Sequence, residues 1–147
     1  MDLLTESGLL GCKPASSPMA QNHKLALAAG PTYDDLARYR RLIGKLVYLT
    51  ITRPDLSYAV HTLSQFMQNP QQQHFDAVIR VLRYVKQNSG QGLFMSSGSS
   101  LSIRAFCDSD WASCPVTKRS TTDYFILLGD SPISWKTKKQ VKITWVV

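Results

Sequence analysis

Between Asn88 and Gly92 the apolar residues of this chain change their spacing, from the period of a helix to that of a strand. Upstream, Leu42, Ile43, Leu46 and Val47 form one stripe of a helix, with Arg38, Arg41 and Lys45 on its other flanks. Downstream, Leu101, Ile103, Ala105 and Cys107 alternate with Ser102, Arg104, Phe106 and Asp108. The two periods bury different sets of positions, so neither segment can adopt the other's structure without exposing its apolar residues. The expected fold is therefore α+β: a small helical bundle over 38–91, followed by an antiparallel sheet over 92–147.

Within the first block, the spacing predicts a helix at about 38–50 and a second from Thr52-Arg53-Pro54-Asp55 to Asn69-Pro70, with Thr52 as its cap and Leu56, Val60, Leu63 and Met67 buried. A third, about 71–88, buries Phe75, Val78, Ile79, Leu82 and Val85 and ends at Asn88-Ser89-Gly90, a left-handed cap. In the second block, strands are expected at Leu93–Met95 and about 101–108. Tyr124–Leu128 and Ile133–Lys136 then flank a four-residue loop, Gly129-Asp130-Ser131-Pro132, and Val141–Val147 adds another strand. Residues 1–37 hold Gly8, Gly11, Pro14, Pro18, Gly30 and Pro31 among small polar residues and sustain no period, which reads as an extended tether.

Charge narrows the functional classes. The 147 residues carry 17 Lys and Arg against 10 acids, a net +7 that is distributed as −2 over 1–37, +6 over 38–100 and +3 over 101–147. The basic middle favours a polyanionic partner. Arg38, Arg40, Arg41, Lys45, Arg80, Arg83 and Lys86, interleaved with Tyr39, Tyr48 and Tyr84, suit a surface that follows a phosphate backbone without reading bases. The alternative is the wet side of amphipathic helices, and Lys136, Lys138, Lys139 and Lys142 around Trp135 pose the same choice. Cys12, Cys107 and Cys114 have no zinc spacing and lie far from His23, His61 and His74, which argues for reduced thiols in an intracellular protein and against a structural metal. No run nears the roughly 20 apolar residues of a membrane helix, and the acidic start is unlike a secretory signal, so no membrane role is expected. Asp108-Ser109-Asp110 closes a strand and could meet a divalent cation such as Mg²⁺, although a bare Asp-x-Asp is more often an acidic turn leaving a strand.

Taken in order, Gly8-Leu9-Leu10-Gly11-Cys12-Lys13-Pro14, Tyr39-Arg40-Arg41-Leu42-Ile43-Gly44-Lys45-Leu46-Val47-Tyr48-Leu49, Thr52-Arg53-Pro54-Asp55-Leu56, Leu82-Arg83-Tyr84-Val85-Lys86, Cys107-Asp108-Ser109-Asp110-Trp111-Ala112, Lys118-Arg119-Ser120-Thr121-Thr122 and Ser134-Trp135-Lys136-Thr137-Lys138-Lys139-Gln140 resemble the Pol polyprotein of plant Copia-type LTR retrotransposons over about residues 2–140. The resemblance implies the thumb-like helices and connection of a reverse transcriptase, then the opening strands of a ribonuclease H-like sheet, left incomplete. It also implies that Asp108 matches the first catalytic carboxylate and metal ligand of that nuclease, with Asp110 beside it. Arg38, Arg41, Lys45, Arg80, Arg83 and Lys86 would grip a primer–template duplex or RNA–DNA hybrid by its backbone.

Departures from the family pattern set the functional expectation. Val141–Val147 replaces the family's Ser-rich turn and acid-bearing helix, as a frameshift or mis-spliced end would. The only Glu is Glu6, and Asp123 stands where the family usually has Gly. No Tyr-x-Asp-Asp occurs, since Tyr33-Asp34-Asp35 lacks the intervening residue. Two-metal hydrolysis needs carboxylates from several elements around cations ~4 Å apart, so Asp108 and Asp110 are expected to be vestigial and the isolated chain to hold no cofactor. The sequence thus points to a Pol fragment without catalysis, retaining at most affinity for hybrid or duplex. The alternative is a protein-interaction adaptor built on the helical bundle, and the unfinished sheet is expected to self-associate.

Overall fold

The computed structural model describes residues 2–21, 23–110 and 119–140, and the chain separates into two compact units, Met1–Gln91 and Gly92–Val147. In the first lie α1 (Asp2–Glu6), α2 (Leu36–Leu49), α3 (Ser57–Ser64) and α4 (Gln72–Gln87). The second holds β1 (Ile103–Asp110), β2 (Thr121–Leu128) and β3 (Ser131–Lys139), an open antiparallel sheet in the order β1-β2-β3. The architecture is α+β.

Helix α2 begins where the Asp35 carboxylate accepts the Arg38 N–H at 2.9 Å, and it buries Tyr39, Leu42, Ile43 and Leu46. Val47 turns outward, 48% exposed, because the stripe narrows to one side of the helix. The predicted cap at Thr52 is not formed: its hydroxyl bonds back to the Leu49 carbonyl, and a 3-10 turn, Pro54–Leu56, leads into α3 instead. That helix also stops five residues short of Asn69. The reason is a competing donor: the Tyr39 hydroxyl takes the Leu63 carbonyl at 2.8 Å, and Phe66 N–H bonds the same oxygen in a tighter turn. Arg40 Nε then holds the Met67 carbonyl at 2.9 Å.

Helix α4 buries His74, Phe75, Val78, Val81 and Leu82, while Ile79 and Val85 are only partly covered. Its end differs from the expected left-handed cap. Asn88 has φ −119°, and positive φ among the described glycines is confined to Gly8 and Gly129.

Residues 1–37 are not an extended tether. Leu4, Ala15 and Leu25 are buried, Leu3, Leu9, Met19 and Tyr33 pack on the core, and the Tyr33 ring stacks on Phe75 at 4.0 Å. Thr32 bridges to Gln71, and the buried His74 Nε2–H donates to the Leu25 carbonyl at 2.9 Å. These anchors are irregularly spaced because each fills a separate gap between helices, which is why no period betrays them.

In the sheet unit, Ile103 pairs with Leu128 and Asp110 with Thr121, while Leu128 pairs with Ser131. Only Gly129 and Asp130 are left in the turn, so the loop is two residues and not four; Gly129 supplies φ +57° and its N–H bonds Ser102 at 2.7 Å. A register shift at Ile126/Leu127 admits Pro132 into the ladder. Leu93–Met95 forms no strand, and Phe94 is exposed; the segment is held by Ser96 N–H donating to the buried Ser131 hydroxyl at 3.0 Å. The strand expected at Val141–Val147, like Trp111, Cys114, Lys118 and Lys142, lies outside the described residues.

Candidate nucleic-acid interface

All six cations assigned from the sequence to nucleic acid lie in the helical unit, and one stretch of chain touches every one. Glu6 pairs with Arg41 at 3.1 Å and with Lys45, and the Ser7 carbonyl accepts from Arg38 at 3.4 Å. Lys86 Nζ donates to the carbonyls of Leu10 and Cys12, the latter at 2.7 Å, and Arg83 Nε to that of Lys13 at 2.6 Å. Arg80 reaches the Ser17 hydroxyl at 2.9 Å, and the Ala15 N–H donates to the Arg83 carbonyl. As the chain advances from Leu10 to Ser17 its partners step back along α4, from Lys86 to Arg83 to Arg80. Residues 10–17 therefore run antiparallel to α4 while Glu6 and Ser7 sit on α2, so that one segment of chain covers a stripe of three cations on each helix.

The stripe arises from helix geometry. Arg38, Arg41 and Lys45 stand three and four apart on α2, and Arg80, Arg83 and Lys86 three apart on α4, so each set shares one helix face. Like charges so placed repel, and the chain's single Glu sits between two of them. The hydrogen bond and charge of Lys45, with those of Arg41, outweigh the slight desolvation of Glu6 and hold its carboxyl below the usual range.

Two of the three tyrosines are not free to act as stacking platforms. Tyr39 is buried, which pushes its phenol well above the ordinary value, and its hydroxyl is spent on Leu63. Tyr84 lies under the Arg53 guanidinium at 5.7 Å, whereas Tyr48 is exposed. Arg53, read from the sequence only as part of a helix start and of a family block, is the functional-looking residue that sequence reasoning missed. Buried at 2% exposure, it forks onto Asp55 at 2.9 and 2.7 Å and donates to the Asn88 carbonyl at 2.9 Å, clamping the start of α3 to the end of α4. The carbonyl ladder of residues 7–13 was equally hidden, since any backbone can supply it. The one visible cue was an unaccompanied Glu6 in a chain of net +7.

On the sheet, Asp108 and Asp123 sit directly opposite one another on β1 and β2, and Asp110 faces Thr121. Alternation puts these three acids on one face with Phe106, Phe125 and Trp135. Asp108 is exposed and accepts its neighbour Ser109 N–H at 2.8 Å; the Asp123 Oδ1 is covered without a hydrogen-bond donor. Adjacent like charges across a ladder destabilise it. Among the described residues no three His, Cys, Asp or Glu side chains gather as a metal site would require. No described helix is long and apolar enough to cross a membrane.

Comparison with known proteins gives the lineage. The chain is 44% identical over 140 residues to the retrovirus-related Pol polyprotein from transposon RE1 of Arabidopsis thaliana, a match covering 95% of this chain and 10% of that one. It is 32% identical over 145 residues to the corresponding polyprotein of transposon TNT 1-94 of Nicotiana tabacum, covering 94% and 11%. An uncharacterized mitochondrial protein of Arabidopsis thaliana is 43% identical over 142 residues, 97% of this chain and 59% of its own length. The chain thus spans about a tenth of the polyproteins it matches. No family model matches it, and no solved structure does.

Proposed function

Because the chain belongs to the family of retrovirus-related Pol polyproteins of copia-type transposons and corresponds to a fragment of them, we propose that it is a non-catalytic piece of that machinery, whose helical unit holds an RNA–DNA hybrid or duplex by its sugar–phosphate backbone. The observation that carries this reading is the stripe of Arg38, Arg41, Lys45, Arg80, Arg83 and Lys86. Its guanidinium and ammonium groups already grip oxygens spaced along residues 6–17 of the same chain. A nucleic-acid backbone presents a similar row of oxygens, each carrying charge, and it asks nothing of the protein but cations at intervals. The non-catalytic part is supported by the acids. Asp108, Asp110 and Asp123 share one sheet face, yet the nuclease chemistry of the resemblance needs further carboxylates from other elements, and the polymerase Tyr-x-Asp-Asp does not occur in the sequence. Mg²⁺ is accordingly given no role in this chain.

Two assays on the full chain test it. Anisotropy of a fluorescent RNA–DNA hybrid should report binding that weakens with salt at a log–log slope of roughly 0.9 per phosphate contacted. A labelled hybrid incubated with the protein and Mg²⁺ should stay intact. Release of fragments that disappears in Asp108→Asn would overturn the non-catalytic reading, and lack of binding at low salt would overturn the backbone-binding one in favour of a protein-interaction role.

A further inference from the structure

The cations assigned to nucleic acid are all engaged by the same chain's residues 6–17, and that has a consequence for how a ligand reaches them. We infer that residues 6–17 form a strap over the cationic stripe whose middle, residues 10–17, is displaceable, so that a phosphate-backbone polymer binds by lifting that middle and taking its place. This rests on the reading of the stripe as a nucleic-acid interface, and it names the control on that interface.

Three observations support displacement over a permanent seal. First, the strap's contribution is of the same chemical kind as the ligand's but weaker. It offers the carbonyls of Ser7, Leu10, Cys12 and Lys13, the Ser17 hydroxyl and one carboxylate, where a nucleic-acid backbone offers a charged oxygen at every step. Second, the contacts are solvated. The side chains of Arg41, Lys45 and Glu6 are 54%, 43% and 36% exposed, and ion pairs in that setting contribute little. Third, the strap is lightly anchored where it crosses α4. Leu10, Gly11, Lys13, Pro14 and Ser16 are exposed, and Ala15 is the only fully buried residue between Leu10 and Ser17. The firmer anchors, Leu4, Ser7 and Leu9 on one side and Met19 and Leu25 on the other, flank the crossing, so the middle can rise while its ends stay on the core.

Cys12 provides a reporter inside the strap. Its thiol is free and half-buried, and its carbonyl is held by Lys86. Alkylation of Cys12 in the full chain, read by peptide mass mapping that separates it from Cys107 and Cys114, should accelerate severalfold when RNA–DNA hybrid is added at low salt. In parallel, Glu6→Gln removes the one carboxylate that competes for Arg41 and Lys45. It should bind hybrid more tightly than the parent, with a salt slope steeper by roughly two contacts, and with unchanged helical circular dichroism because Glu6 is exposed. Hybrid that binds while Cys12 reactivity stays constant, or while Glu6→Gln leaves affinity and slope unaltered, overturns the strap and spares the interface. Failure of both proteins to bind hybrid at low salt overturns the interface and the strap with it.

Discussion

Arg53 stands in the sequence as one more basic residue of a basic chain, inside a stretch whose Thr, Pro and Asp suggest only a helix start. In the structure it is the most completely enclosed charge among the described residues. What hid it is distance along the chain: the Asn88 carbonyl it holds is 35 residues away, and no local pattern announces such a pairing. Breaking a buried pair leaves the partner charge without compensation, so Arg53→Ala should cost about 3–5 kcal/mol in urea unfolding. Arg53→Lys should recover only part of this, since an ammonium cannot fork onto both Asp55 oxygens. The pair also has a pH signature. Burial pushes the Asp55 carboxyl up, but hydrogen bonds from Arg53 and Tyr84 and the Arg53 charge outweigh it and leave the value lowered. A lowered folded-state value contributes stability above the ordinary carboxylate value of 3.8, and that contribution is lost as pH falls through the folded value. The stability gap between the parent and Asp55→Asn should therefore be steady near neutrality and close as the pH drops below about 4.

At the scale of elements, the amphipathic stripes of α2 and α4 were legible because burial on one side enforces a helical period, β1 because its apolar residues alternate, and β2 because an apolar run abuts turn residues. What escaped was set by single side chains from elsewhere. The end of α3 was lost because Tyr39 arrives from α2 to claim Leu63 O, and the β2–β3 turn was read too long because Pro132 looks like a breaker. The ladder accommodates it at a register shift. This turn makes a sharp prediction. Gly129 has φ +57°, and a Cβ there would run into the Ser99 side chain and the Ser100 carbonyl, both fixed by the Ser99 hydroxyl's bond from Asp130 N–H and by neighbouring contacts. Gly129→Ala should thus cost more than the 1–2 kcal/mol or so of a left-handed residue alone. Amide exchange of β2 and β3 should rise while that of α2 and α4 stays slow. His74 gives the corresponding test in the helical unit. Its Nδ1 accepts the Gln71 N–H and its Nε2–H donates to Leu25 O, so both ring nitrogens are engaged while the ring stacks on Phe66. His74→Phe keeps the stacking but leaves the Gln71 N–H without its acceptor and takes one of two donors from Leu25 O, for an expected loss of about 1–3 kcal/mol in chemical unfolding.

Two different surfaces remain at the scale of the whole chain, and ionic strength distinguishes them. One is the cationic stripe of the helical unit, whose ligand must bring negative charge and whose affinity salt must weaken. The other belongs to the sheet unit: β1 is exposed along its whole length, with Ile103 70% and Phe106 55% open, and its outer edge pairs with no strand among the described residues. An apolar strand with a free edge is a template for another copy of itself. Self-association through β1 is expected to grow with protein concentration in sedimentation and to persist or strengthen as salt rises, because burial of apolar surface does not depend on counterion release. A charge directed outward from one face of β1, Ile103→Lys, should reduce it without altering the salt slope of hybrid binding, while Glu6→Gln should do the reverse. A monodisperse monomer at high concentration and high salt would show that the exposed face of β1 is not sticky enough to bring copies together.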